Sequence, residues 1–83
     1  MKGVPKMNNT RRKAIQAIID KLEDLKSEVE MLKDEEQEAF ENLPESLQGS
    51  EQGIAMEDAT YNLDEAYASI DSAVDSLTES IEQ

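Results

Sequence analysis

Apolar residues in the first half of the chain recur at alternating spacings of three and four, the period of one face of an α-helix. The pattern predicts a helix over about residues 10–43, with Asn9 or Thr10 as its N-cap. A stripe of this kind packs against a second helix. The predicted stripe consists of Ile15, Ile18, Leu22, Leu25, Val29 and Leu32, and after Glu36 it resumes with Ala39, Phe40 and Leu43.

A short segment rich in helix-breaking residues follows this helix. Pro44 disfavours the α conformation in the residue before it, so the first helix should end near Leu43. We predict a turn over residues 44–50, containing one helical turn that opens at Pro44 and closes at Gly49. The second helix should span about residues 51–82, with Gly53 as a weak point that costs about 1 kcal/mol relative to alanine.

The second helix carries a seven-residue repeat. Large apolar residues occupy one position of the repeat, namely Met56, Leu63, Ile70 and Leu77. Small residues occupy the other position of the predicted seam, namely Ala59, Ala66, Ala73 and Ser80. A further column lies beside the seam and consists of Thr60, Tyr67, Val74 and Ile81, with a partial counterpart in Ile19 and Phe40 of the first helix. The apolar stripe is therefore wider than a contact between two helices requires.

These patterns predict an all-α fold with a single domain over residues 10–83. We expect an antiparallel, coiled-coil-like hairpin of two helices, preceded by a flexible basic arm over residues 1–9. The extra apolar width predicts that two hairpins dimerise into a four-helix bundle. The alternative is that another partner covers the spare face.

Charge is distributed very unevenly along the chain. The net charge is −12, Lys33 is the last basic residue, and 15 carboxylates follow it. Residues 14–83 hold 20 carboxylates and three lysines. The resulting charge of −17 along a rod of about 45 Å is one charge per roughly 2.6 Å, compared with about 1.7 Å for duplex DNA and 3.4 Å for a single strand.

Several kinds of chemistry lack the residues they need. The sequence contains no cysteine and no histidine, which removes disulfides, the usual soft metal ligands and the side chain that most often serves in acid–base catalysis. We therefore predict a non-enzymatic protein without catalytic residues, a cofactor or a metal site. No apolar run reaches the roughly 20 residues of a membrane span, so we expect a cytoplasmic protein that does not bind membranes.

The carboxylates of the second helix repeat with the heptad, on the face opposite the seam. We predict that this face binds a partner, and the candidate residues are Glu57, Asp58, Tyr61, Asp64, Glu65, Asp71, Asp75 and Glu79. The competing interpretation is a solvated face that keeps a small protein soluble. Tyr61 lies off the seam among carboxylates, where it suits an arginine-rich partner. The alternative is that it packs over the end of the hairpin near the turn or against a dimer neighbour.

Three segments resemble small acidic proteins common in phage and prophage genomes, most of which are uncharacterised. The segments are Arg11-Arg12-Lys13-Ala14-Ile15, Asp34-Glu35-Glu36-Gln37-Glu38-Ala39-Phe40 and Asn42-Leu43-Pro44-Glu45-Ser46-Leu47-Gln48. The similarity covers roughly residues 10–83. It implies a setting of counter-defence or host takeover, in which some proteins mimic DNA and block nucleases, but it assigns no functional residue.

The sequence thus favours an acidic binding protein over other functional classes. The leading hypothesis is a phage-type counter-defence inhibitor or DNA mimic that occupies a basic groove of a host nuclease or DNA-binding protein, in the host cytoplasm. Direct DNA binding is not expected, because most of the chain repels phosphate. The alternative is a structural or adaptor coiled-coil protein that acts through its apolar face.

Overall fold

The computed structural model describes residues 7–82, and these form two long helices joined by one short helix. Helix α1 spans Asn9–Glu41, α2 spans Glu45–Gln48 and α3 spans Glu51–Glu82. Neither a strand nor a second layer occurs within residues 7–82. The structure therefore confirms the all-α class as an extended pair of helices. Residues 1–6 of the predicted basic arm lie outside the described residues.

Helix α1 begins one residue earlier than the sequence predicts. The N-cap is Asn8, not Asn9 or Thr10, and its side-chain oxygen accepts a hydrogen bond from the backbone N–H of Arg11 at 2.7 Å. This bond satisfies one of the amides that lack a partner in the first helical turn. Asn8 can take this role because its backbone is extended, whereas Asn9 already lies in the helix.

The segment between the long helices contains the single helical turn that Pro44 predicts. Its backbone groups are satisfied locally, with the N–H of Leu47 donating to the carbonyl of Pro44 at 2.8 Å. The side-chain amide of Gln48 donates to the carbonyls of Phe40 and Leu43, at 3.4 and 3.2 Å. Gln48 thus adds a partner for the carbonyl of Leu43 and a further one for that of Phe40, which already accepts from the N–H of Leu43.

Helices α1 and α3 pack side by side and run in opposite directions. Lys33 contacts Asp64 and Lys26 contacts Asp71, so residue numbers rise along α1 as they fall along α3. At the far end, the Arg12 side chain donates to the carbonyl of Ile81 and, at 3.1 Å, to that of Met7. A cation at the C-terminal end of α3 interacts favourably with its exposed carbonyl groups.

The seam between the helices is formed by columns that differ in part from those predicted. On α1, the residues that are at least partly buried follow a strict alternation of three and four: Arg12, Ile15, Ile19, Leu22, Lys26, Val29, Lys33, Glu36 and Phe40. On α3, nine residues that are at least partly buried follow the same alternation of three and four and form its side of the seam: Gly53, Met56, Thr60, Leu63, Tyr67, Ile70, Val74, Leu77 and Ile81. Ile19 and Val74, each 6% exposed, are the two buried apolar side chains among the described residues.

The predicted seam is therefore correct in one column of each helix, while the other column is exposed except at Ala59 and Ser80 of α3, which are partly buried. Ile18, Leu25 and Leu32 are 46%, 49% and 53% exposed, and Ala66 and Ala73 are exposed as well. The flank chosen on α3 carries larger side chains, with Tyr67 and Val74 in place of alanines. It packs against the flank of α1 whose lysines can keep their ammonium groups in solvent while their stems cover apolar surface.

Gly53 is where α2 approaches α3 most closely. It is buried, and a β-carbon added there would lie 2.6 Å from the carbonyl oxygen of Leu47 and closer still to that of Gln48. Only glycine fits beside backbone at such distances. The weak point expected from helix propensity is therefore a packing requirement.

Candidate protein-interaction surface

The carboxylates of α3 are confined to one side of the helix. All nine are exposed, and none lies in the two heptad columns formed by residues 55, 62, 69 and 76 and by residues 59, 66, 73 and 80. Those columns contain only alanine, serine and asparagine. The helix therefore has an acidic side and an uncharged side, which meet along the seam.

The eight predicted partner-binding residues all lie exposed on the acidic side of α3. We call them the acidic surface: Glu57, Asp58, Tyr61, Asp64, Glu65, Asp71, Asp75 and Glu79. They occupy adjacent columns along most of the helix, which places their charges in one continuous band about 35 Å long.

Asp64 and Asp71 of the acidic surface pair with lysines of α1. Asp71 accepts a hydrogen bond from the Lys26 ammonium at 2.8 Å, and Lys26 also contacts Glu23 at 3.1 Å. Asp64 accepts one from Lys33 at 3.4 Å. Ion pairs this exposed contribute little to stability, but they hold these two carboxylates toward the neighbouring helix and leave the outer columns as the part facing solvent.

Lys26 contacts two carboxylates, one on each long helix. The hydrogen bond that Lys26 donates to Asp71, and then the one to Glu23, raise the pKa of Lys26 above its ordinary value. Its contribution to stability is therefore complete at neutral pH and is lost only as the pH rises through that raised pKa. The ammonium also lies 5.5 Å from the centre of the Tyr67 ring, close enough for a cation–π interaction.

The sequence analysis did not assign Lys26 or Lys33 to the seam. The available signal was their spacing, since both lie at seven-residue intervals in register with Ile19 and Phe40. A lysine in a seam position reads as a break in an apolar stripe. In this fold the stem fills the seam and the charge reaches the acidic helix.

Tyr61 lies on the outer side of the pair, as its position off the seam predicts. Its side chain is 64% exposed. Beside it is an open groove of about 400 Å³, lined by Lys33, Asp34, Gln37, Glu57, Thr60, Tyr61 and Asp64. One heptad earlier, Ile54 is also half exposed, at 50%. An exposed ring and aliphatic group bordered by carboxylates suit a partner that presents both cationic and apolar side chains.

A separate apolar face lies on the other side of the seam. It is formed by Ile18, Leu25 and Leu32 of α1 together with Ala59, Ala66 and Ala73 of α3. Lys26 and Lys33 turn away from it toward Asp71 and Asp64. The helix pair thus presents two chemically distinct surfaces, one acidic and one apolar.

Neither metal ligation nor membrane insertion is indicated by the described residues. Across residues 7–82, no cluster of three potential ligand side chains is arranged to hold a metal ion. Neither long helix in that part of the chain contains an apolar stretch of membrane-spanning length.

We expect added salt to stabilise the helix pair. Repulsion within the band of carboxylates acts over about 30 Å at 10 mM salt and about 10 Å at 100 mM. Screening should therefore raise the midpoint of thermal unfolding by about 5 °C between 10 and 300 mM sodium chloride, equivalent to about 1 kcal/mol. Circular dichroism at 222 nm measures this shift.

The matched control for this prediction is the variant Asp58→Asn, Glu65→Gln, Asp75→Asn, whose shift with salt should be smaller. A midpoint that falls with salt would contradict the prediction. It would mean that the pairs made by Lys26 and Lys33 outweigh the repulsion among carboxylates.

Comparisons with known proteins assign the chain to no group. No protein-family model matches it, and neither a curated protein nor a solved structure shows significant similarity to it.

Proposed function

We propose that this chain is a non-enzymatic binding protein whose acidic surface docks into a basic groove of a nucleic-acid-binding protein. The observation that carries the proposal is the confinement of every α3 carboxylate to one side of a continuous helix. The carboxylates therefore form one continuous charged surface instead of being spread around the helix. Charge gathered on one side complements a basic surface and speeds encounter with it.

The shape of the acidic surface supports a groove as its target. The band is straight and one helix wide, and its seven carboxylates give about one charge per 5 Å, compared with about one per 3.4 Å along a nucleic acid strand. A host nuclease or other DNA-binding protein offers a groove of matching charge. We therefore infer an inhibitor that excludes DNA from such a groove, in the manner of a phage counter-defence protein acting in the host cytoplasm.

The pairing of Asp64 and Asp71 determines which substitutions test this proposal. Reversing either carboxylate would place a lysine against Lys33 or Lys26, so lost binding could reflect a disturbed helix pair. No ion pair within residues 7–82 involves Asp58, Glu65 or Asp75. The triple variant Asp58→Lys, Glu65→Lys, Asp75→Lys therefore changes the outer acidic columns and leaves the seam intact.

The experiment begins with affinity capture from a bacterial lysate at low salt, followed by titration of the captured protein. Binding should weaken by at least 100-fold in the triple variant, because three contacts of phosphate-like character become repulsive. The control Asp24→Lys, Glu35→Lys, Glu38→Lys makes the same change in net charge on α1 and should bind within about threefold of the original chain. Equal losses in both variants would show that net charge alone matters.

The dependence of binding affinity on salt concentration tests the same proposal independently. Affinity for a basic groove should fall steeply between about 50 and 200 mM salt. Duplex DNA should compete with the chain for the captured protein. Binding that is insensitive to salt and to DNA would reject the acidic surface as the contact.

A second candidate function rests on the apolar face. Ile18, Leu25 and Leu32 form one row of large side chains, each about half exposed. Exposed apolar surfaces of this kind mark sites of protein–protein interaction. On this proposal the chain is a structural or adaptor protein, a hairpin that associates into a four-helix bundle through that face. Its contacts should change little with salt.

A further inference from the structure

We propose that a second copy of this chain covers the apolar face, related by a two-fold axis parallel to the helices, so that both turns lie at the same end of a four-helix bundle. The inference deepens the second candidate function and rests on its apolar face. It is independent of what the acidic surface binds.

Large side chains on α1 and alanines on α3 lie close in height along the apolar face. Lys26 lies beside the ring of Tyr67, and the preceding residue of each helix, Leu25 and Ala66, lies within about 3 Å of the same height. Steps of one heptad in opposite directions give two more matched pairs, Ile18 with Ala73 and Leu32 with Ala59. Each large side chain on α1 therefore has an alanine on α3 within about 3 Å of its own height.

This match makes the face complementary to itself. A two-fold rotation about an axis parallel to the helices places α1 of each copy over α3 of the other, without any shift along the axis. Leu25 of one copy then meets Ala66 of its partner, and the same contact repeats in the other direction, as an isologous interface requires. Large side chains opposite small ones fill the space between helices at close approach.

The other face-to-face arrangement packs less well. A two-fold axis perpendicular to the helices would place α1 on α1 and α3 on α3, with the two turns at opposite ends. Large side chains would then meet large ones, while alanines would face alanines across a gap. Such a gap forfeits contacts on both of its walls.

The distribution of charge allows two chains of net charge −12 to meet on this face. The two α3 columns that a neighbouring copy would contact carry no charged residue, while every α3 carboxylate lies on the acidic side. Bundle formation therefore leaves the acidic surfaces on opposite outer sides. Two like-charged chains can approach closely here without bringing their α3 carboxylates together.

The whole side of the helix pair that carries the apolar face is large enough for a stable dimer. Two helices, each about 10 Å wide and about 45 Å long over their shared length, present about 900 Å². A standard stable interface buries about 800 Å² on each partner. A helix pair with only Ile19 and Val74 buried among the described residues gains the larger core that a small chain otherwise lacks.

Sedimentation equilibrium and a matched pair of double variants test the use of this face. The original chain should sediment as a dimer of twice 9.3 kDa. Leu25→Asp with Leu32→Asp should raise the dimer dissociation constant at least 100-fold. Met31→Asp with Ile54→Asp removes two apolar side chains of similar exposure, 56% and 50%, on other sides of the pair, and should change it less than threefold. A monomeric original chain, or equal effects of the two double variants, would overturn the proposal.

The variant Ala66→Leu tests the packing of large on small side chains while keeping helix propensity and apolar character. It should weaken the dimer at least tenfold, because the added side chain collides with Leu25 of the partner. In the arrangement with the perpendicular axis the same change would fill the gap between alanines and tighten the dimer. A tighter dimer would therefore reject the parallel axis.

A spin label at the turn measures the direction of the axis. Gly49→Cys suits this purpose, because a β-carbon there meets no atom within 4 Å and the chain has no other cysteine. Electron paramagnetic resonance should give a distance of about 20 Å between labels when the turns share one end. The perpendicular axis predicts at least about 45 Å, the length of the shared helices, and that value would contradict the proposal.

These assays contain only the chain itself, so they separate this inference from the proposal for the acidic surface. Dimerisation should persist or strengthen as salt increases, whereas binding to a basic groove should weaken. Loss of partner binding with an intact dimer would reject only the acidic contact. A monomer that still binds its partner in a salt-dependent way would reject only the dimer.

Discussion

Replacing Ile19 with alanine should lower the free energy of unfolding by about 2–4 kcal/mol, the usual cost of removing a buried isoleucine side chain beyond its β-carbon. Ile19 is 6% exposed and lies in the seam with Val74 as the other buried apolar side chain of the described residues. Few other contacts can compensate. In a chain of 83 residues this loss is a large fraction of the total stability. Urea unfolding followed by circular dichroism measures it.

The neighbouring residue provides the control. Ile18 has the same side chain and the same helix propensity, but it is 46% exposed, so Ile18→Ala should cost less than about 1 kcal/mol at low protein concentration. If the apolar face is covered by a second copy, the cost at Ile18 should grow with protein concentration, whereas the cost at Ile19 should persist at every concentration. Equal costs at high dilution would contradict the seam described above.

Replacing Gly53 with alanine should destabilise the fold by about 1–3 kcal/mol, as overpacking typically does. The added β-carbon would lie within 2.6 Å of the Leu47 carbonyl oxygen and closer to that of Gln48. These are backbone atoms, so relief requires α2 to move away from α3. The midpoint of urea unfolding, compared with that of the original chain, measures the effect.

The sign of this effect separates two physical explanations. If helix propensity controlled this position, alanine would instead stabilise the chain by about 1 kcal/mol. Gly49→Ala is the matched control, because the surroundings of Gly49 are open and its φ of −91° suits any residue. It should be neutral or stabilise by up to about 1 kcal/mol through a less flexible unfolded chain. Stabilisation by both substitutions would show that α2 does not pack closely on α3.

The two proposed surfaces require different properties of the same helices. A straight acidic band needs α3 to be uninterrupted and supported along its length, and the seam with α1 provides that support. The lysines that anchor Asp64 and Asp71 also turn their charges away from the apolar face. One set of seam residues thus keeps one side acidic and the other side uncharged.

Much of this architecture follows from the sequence alone. Pro44 and Gly49 separate two helices, because each of them opposes continuation of a helix. The columns that contain Leu22 and Leu63 belong to the seam, since they are central in the apolar stripe and any helix–helix contact must bury them. The acidic side of α3 is also evident without coordinates, because heptad spacing determines which residues share a face.

Only the tertiary structure decided which flank of each stripe is buried. Each helix offers two columns beside its central one, and local spacing allows either. On α1 the more apolar column, with Leu25, is the exposed one, while the column with Lys26 enters the seam. That choice depends on α3, where Tyr67 and Val74 fill the contact better than alanines and Asp71 lies within reach of the lysine. Interactions between helices set the outcome, and a pattern within one helix does not contain them.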